Sequence, residues 1–151
     1  MSHGILTSSF ALALAFGGAS IAQEKKHDHP DEGPHHGCLA EWGEEEYHVE
    51  FTVDRKTGTA TVYILGGDAK KAKPIDAKEV TLTIKGKKAV SVDLKPKPDK
   101  DDPSGKCSRF VGTHKSLKAT DLFSGTVSAE VGGKPYSGDF KQTPHDHKHD
   151  K

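Results

Sequence analysis

Short runs in which apolar and polar residues alternate with a period of two constrain this chain more than any other feature. Tyr47, Val49, Phe51 and Val53 alternate with His48, Glu50, Thr52 and Asp54, and Val80, Leu82 and Ile84 alternate with Thr81, Thr83 and Lys85. Successive side chains of a strand point to opposite faces, so the pattern predicts antiparallel strands with one packed face and one wet face. Asp54 to Gly58 reads as a turn into a second strand over Thr59 to Leu65, and Gly86 to Lys88 as a turn into Val90, Val92 and Leu94. Ser108 to Val111, then Val127, Ala129 and Val131, a Gly132-Gly133 turn and Tyr136 to Phe140 complete a set of seven. Seven short strands with frequent turn signals predict an all-β domain: a single antiparallel β-sandwich of immunoglobulin-like type, or a small barrel. Helix is expected only as a turn within Ser116 to Phe123.

The core of such a domain is thin. Leu, Ile, Val and Phe supply 22 of the 129 residues after position 22, yet the 22 basic and 22 acidic side chains of the whole chain balance. A low apolar content without a high net charge is compatible with a small patterned core. Acids dominate residues 23–54 and lysines dominate 70–106, so the charge is polarised along the chain, but no overall basic excess favours nucleic acid as a partner.

Residues 1–22 hold no Asp, Glu, Lys or Arg, and Ile5 to Ala22 is apolar, short and closed by small residues. That is the pattern of a cleaved secretory signal, with Ser20 and Ala22 before the cut and Gln23 as the first mature residue. Periplasmic or secreted localisation is expected, with no membrane span left after cleavage. Residues 23–37 (QEKKHDHPDEGPHHG) and 143–151 (TPHDHKHDK) lack apolar side chains, and both are expected to be disordered arms flanking a body over 38–142.

The chain has two cysteines, Cys38 and Cys107. In an oxidising compartment a disulfide between them is the expectation. The alternative makes Cys38, beside His35 and His36, a thiolate ligand for a soft metal.

Histidine is the strongest functional signal. His27, His29, His35 and His36 lie in the first arm, and His145, His147 and His149 in the second. The His-x-His spacing sets imidazoles about 6 to 7 Å apart on one side of an extended chain, close enough for two to share an ion after slight bending. Neutral imidazole suits Zn, Cu(II), Ni and Co, and neighbouring carboxylates such as Asp28 and Asp146 can complete a coordination shell. The sole Met is Met1, so thioether ligands for Cu(I) are lacking after cleavage, and zinc or copper(II) is the expected metal. His48 and Glu50 stand apart from the arms: alternation places both on the exposed face of one strand, as a candidate fixed site. His114 falls in a loop without a readable partner.

The residues His36-Gly-Cys-Leu-Ala-Glu41-Trp-Gly43 and Tyr47-His48-Val-Glu50, with Val62 to Leu65, Pro74-Ile75 and Ser108 to Phe110, resemble a group of small exported bacterial proteins. Those proteins carry a His-Gly-Gly and Tyr-His-x-Glu pattern and accompany heavy-metal efflux systems. The resemblance spans residues 35–112 and implies a periplasmic metal-binding accessory, with His36, His48 and Glu50 as ligands and an efflux system as partner. Cys38 stands where that pattern has Gly, so the resemblance says nothing about the cysteines.

Enzymatic function is not expected. The chain lacks G-x-S-x-G, H-E-x-x-H, G-x-G-x-x-G and a phosphate loop. A redox enzyme needs several imidazoles in the folded body, where the sequence offers His48 and His114. The leading expectation is a metal-binding protein that buffers or delivers divalent ions through its His/Asp arms. The competing one is a metal-free interaction module of the cell envelope, which rests on fold analogy.

Overall fold

A computed structural model describes residues 32–143 apart from Lys87 and Thr120. The expected signal peptide, His27 and His29, and His145, His147 and His149 lie outside the described residues.

The chain is all-β. Its strands are β1 (Cys38–Trp42), β2 (Tyr47–Asp54), β3 (Thr59–Leu65), β4 (Val80–Ile84), β5 (Val90–Pro96), β6 (Arg109–Thr113), β7 (Ser124–Val131) and β8 (Lys134–Lys141). All pair antiparallel in the order β1-β2-β3-β6-β5-β4-β7-β8, a single sheet curled into a nearly closed barrel. The seven expected strands are present, and β1 is an eighth. It pairs with β2 from Cys38 opposite Phe51 to Trp42 opposite Tyr47, around a tight loop in which Gly43, Glu44 and Glu45 all have positive φ. The Gly132-Gly133 turn also has two positive φ values, as a two-residue hairpin between right-twisted strands requires. The expected helical turn is a 3-10 turn over Lys115–Lys118, capped by His114, whose Nδ1 accepts the Ser116 N–H at 3.2 Å.

Two seams complete the barrel. At one, β5 and β6 share two ladder pairs, Lys95 with Val111 and Pro96 with Phe110. At the other, β1 packs on β8 without a ladder: Gly138 lies against the Glu41 carbonyl, where no side chain fits, and Trp42 stacks on Tyr136. Trp42 Nε1 donates to the Val127 carbonyl at 3.0 Å, tying β1 across to β7. The inward positions Val49, Phe51, Val62, Ile64, Leu82, Leu94, Phe110 and Val127 form the dry interior. Among the described residues no helix is long and apolar enough to cross a membrane.

Three expectations change. Residues 32–37 are part of the folded body: Glu32 bridges to Cys38, and Gly33 N–H donates to the Gly37 carbonyl at 2.9 Å. The outer face of β2 is not wet at its first half, where His48 and Glu50 are both 0% exposed. Alternation did aim them away from the interior, but two loops from elsewhere in the chain cover them. The disulfide is not formed, and both cysteines are free. Cys38 belongs to β1, whereas Cys107 sits just before β6 and pairs with Ile75, so β2 and β3 intervene. Three strand spacings amount to roughly 14 Å, against about 4.4 to 6.8 Å between the Cα atoms of a bridge.

Candidate functional site

The site is built on the outer face of β2 and β3, where Glu50 and Tyr63 are direct cross-strand neighbours. Residues 33–37 fold over this pair as a compact turn, closed by His36 N–H donating to the Gly33 carbonyl at 3.0 Å. The turn sits so close that glycine is required at both ends. A Cβ on Gly33 would lie 2.6 Å from Glu50 Oε2, and one on Gly37 would lie 2.5 Å from the Phe51 carbonyl. His36, at the apex, has φ 60°, a left-handed conformation that His tolerates better than most residues.

Three donors converge on the enclosed carboxylate. Glu50 Oε1 accepts the backbone N–H of His35 at 2.7 Å and that of Gly37 at 2.8 Å. Oε2 meets His35 Nδ1 at 2.7 Å. The His35 ring lies flat on Tyr63, with centroids 3.7 Å apart and planes 6° from parallel. Its Nδ1 faces a fully buried carboxylate, while the side chain as a whole is 44% exposed. A carboxylate accepting at Nδ1 leaves the lone pair on Nε2, the arrangement in which imidazole serves as a metal ligand or a base.

Next to His35, Glu32 Oε2 and His36 Nδ1 approach to 3.7 Å at the rim of a cleft of about 290 Å³. Cys38, Arg55, Leu122 and Thr143 also line this cleft. Burial pushes the Cys38 thiol up to about 12, and the charge of Glu50 adds to the effect. At neutral pH it is a thiol, weakly hydrogen bonded to the Phe51 carbonyl at 3.8 Å. Cys107, also raised by burial, donates to the Arg109 carbonyl at 2.8 Å.

The residues named from sequence thus separate into groups. His35, His36 and Glu50 come together, joined by Glu32, one of the carboxylates expected to complete a coordination shell, and by Tyr63, whose place beneath His35 the sequence did not reveal. The sequence signal for this ordered turn was the Gly33-Pro-His-His-Gly37 bracket, whose paired glycines permit close backbone approach. His48 sits two residues before Glu50 on the same strand face but is enclosed separately, its Nδ1 donating to the Gly66 carbonyl at 3.1 Å. Among the described residues no group of three His, Cys, Asp or Glu side chains is arranged to hold a metal ion. Comparison of the chain with protein-family models, curated proteins and solved structures finds no match.

Proposed function

We propose that this protein is an exported, non-enzymatic metal-binding accessory of the cell envelope that buffers or delivers divalent transition ions, zinc or copper(II) first and nickel or cobalt next. The carrying observation is the buried Glu50 carboxylate against His35 Nδ1 at 2.7 Å. Ligating histidines nearly always donate their second ring nitrogen to such a partner, which sets the tautomer and raises ligand basicity. In the sequence, residues 23–37 and 143–151 carry further imidazoles and carboxylates, and acidic residues raise the local cation concentration. In this reading Glu50 supports a ligand instead of being one, and the resemblance supplies a metal-efflux system as the partner.

Titration of the chain with Zn²⁺, Cu²⁺ and Ni²⁺ tests the reading. Uptake is expected near neutral pH, fading as pH falls through about 6.5, where imidazole protonates. His35→Ala should weaken it. Uptake no tighter than that of a variant with every histidine replaced discards the proposal.

A further inference from the structure

The turn that joins β1 to β2 is built against the preferences of its residues. Glu46 N–H donates to the Gly43 carbonyl at 3.1 Å, closing a four-residue turn whose central residues, Glu44 and Glu45, have φ of 52° and 69°. Positive φ at both central positions is the requirement of a type I′ turn, where Asn-Gly is favoured because a larger side chain crowds the backbone. Two adjacent glutamates fit that requirement poorly. Packing holds them there: Gly67 lies against the Glu45 carbonyl, where a Cβ would come within 2.8 Å, and Gly43 lies against the Tyr136 ring. A left-handed pair of ordinary residues is stored strain, and such strain collects at switch points.

β1 is the piece that this hinge can release. It is the first strand of the barrel, so one connection ties it to the strands that follow. On one side it forms a five-pair ladder with β2, and on the other it meets β8 without a ladder. It cannot simply lift off, because Ala40 and Trp42 are 3% and 0% exposed and complete the core. A second copy whose own β1 has lifted offers the same groove. Every contact of β1 is then remade between chains, and the extended hinges free Glu44 and Glu45 from the left-handed region.

We propose that two copies of this chain pair by exchanging β1 together with the 33–37 turn. The exchange divides the candidate site: His35 moves with β1 while Glu50 and Tyr63 stay with β2 and β3, so each imidazole is seated on the carboxylate and ring of the other chain. The hinge glutamates of both copies meet near the two-fold axis. Lys73 Nζ, 3.2 Å from the Glu46 carbonyl, and Lys134 Nζ, 3.6 Å from Glu46 Oε2, stand beside that position in each barrel and offset the repulsion. The pairing requires no metal.

Refolding the full chain in metal-free buffer over a range of concentrations, followed by sedimentation, reads the dimer. The parent should give a dimer fraction that grows with concentration. Glu44→Asn with Glu45→Gly suits the closed turn and should weaken the dimer by about a hundredfold, because relief is lost at two residues in each chain. Glu45→Pro fixes φ at about −65°, which forbids the closed turn and suits an extended hinge, so the dimer should be its sole folded form. Refolding isotope-labelled with unlabelled chains distinguishes exchange from side-by-side association. Exchange gives a Trp42–Tyr136 nuclear Overhauser effect between chains, the two rings being 5.9 Å apart across the β1–β8 seam. Three results overturn the proposal: a Glu45→Pro chain that folds as a monomer, a parent that stays monomeric at every concentration, or a dimer in which Trp42 meets only the Tyr136 of its own chain. If Glu45→Pro does not fold, the parent and the Asn-Gly variant decide, and equal dimer constants for these two also overturn it. No arm contains metal, so the metal-binding reading stands or falls separately.

Discussion

Replacing Glu50 provides a sharp test of how the 33–37 turn is held. Glu50→Ala removes the acceptor for the N–H groups of His35 and Gly37 and for the His35 ring, and leaves a void beneath the turn. A buried donor left unmade costs about 1 to 3 kcal/mol. With two backbone donors affected, and part of the loss recovered if the turn lifts into water, a destabilisation of about 3 kcal/mol is expected. Glu50→Gln keeps an oxygen where Oε1 accepts both N–H groups, and its amide meets His35 Nδ1 if the ring changes tautomer. What it loses is charge assistance, partly offset because a neutral amide is easier to bury than a carboxylate, for a net cost of about 1 kcal/mol. Trp42 is fully buried and reports global unfolding. With a urea slope of about 2 kcal/mol/M, the midpoint should fall by about 1.5 M for Ala and about 0.5 M for Gln. The reasoning is refuted if the two variants share one midpoint, since the loss would then stem from the charge and not from stranded donors.

Thiol reactivity checks the cysteine assignment. Because burial raises Cys38 to about 12, only about one thiol in ten thousand is ionised at pH 8, and native alkylation should be slow. Two thiols per chain should react once urea is added without reductant, and a count of zero would restore the disulfide. Acid stability follows from the carboxylates. Burial alone would raise Asp102, but the N–H groups of Ser108 and Asp99 outweigh it and hold it below its ordinary 3.8. The Thr57 hydroxyl and the Lys56 N–H hold Asp54 low, and the N–H groups of Lys70 and Lys71 hold Asp68 low. A depressed folded-state pKa contributes stability above the unfolded value that is lost as pH falls through the folded one. The urea midpoint should therefore stay flat from neutrality to about pH 5 and drop below about pH 4. A midpoint unchanged down to pH 2 would contradict it.

Seven of the eight strands and their turns were legible because period-two patterning and glycine chemistry are local properties, visible in windows of four to eight residues. β1 escaped because Cys38-Leu-Ala-Glu-Trp42 is short and its alternation shallow; its partner in β2 and its packing on β8 are what make it a strand. His35 and His36 were recognisable as candidate ligands from residue type, but their polar surroundings read as a floppy arm. Order at residues 33–37 comes from Glu50, which lies 13 to 17 positions further along the chain and is brought near only by the β1–β2 hairpin.

Face assignment on β2 shows where local information stops. A pattern tells which side chains share a side, and His48 and Glu50 do share one, opposite Val49 and Phe51. Whether that side meets water depends on the 33–37 and 66–73 loops, whose positions follow from strand order, and strand order is a property of the whole barrel. The cysteines follow the same logic: their residue type and compartment favour a bridge, and two intervening strands keep them apart. Local chemistry along the chain is enough to specify strands, turns and an inventory of imidazoles. Bringing a carboxylate under one of those imidazoles takes contacts between residues distant in sequence, because side-chain and backbone donors pair through space.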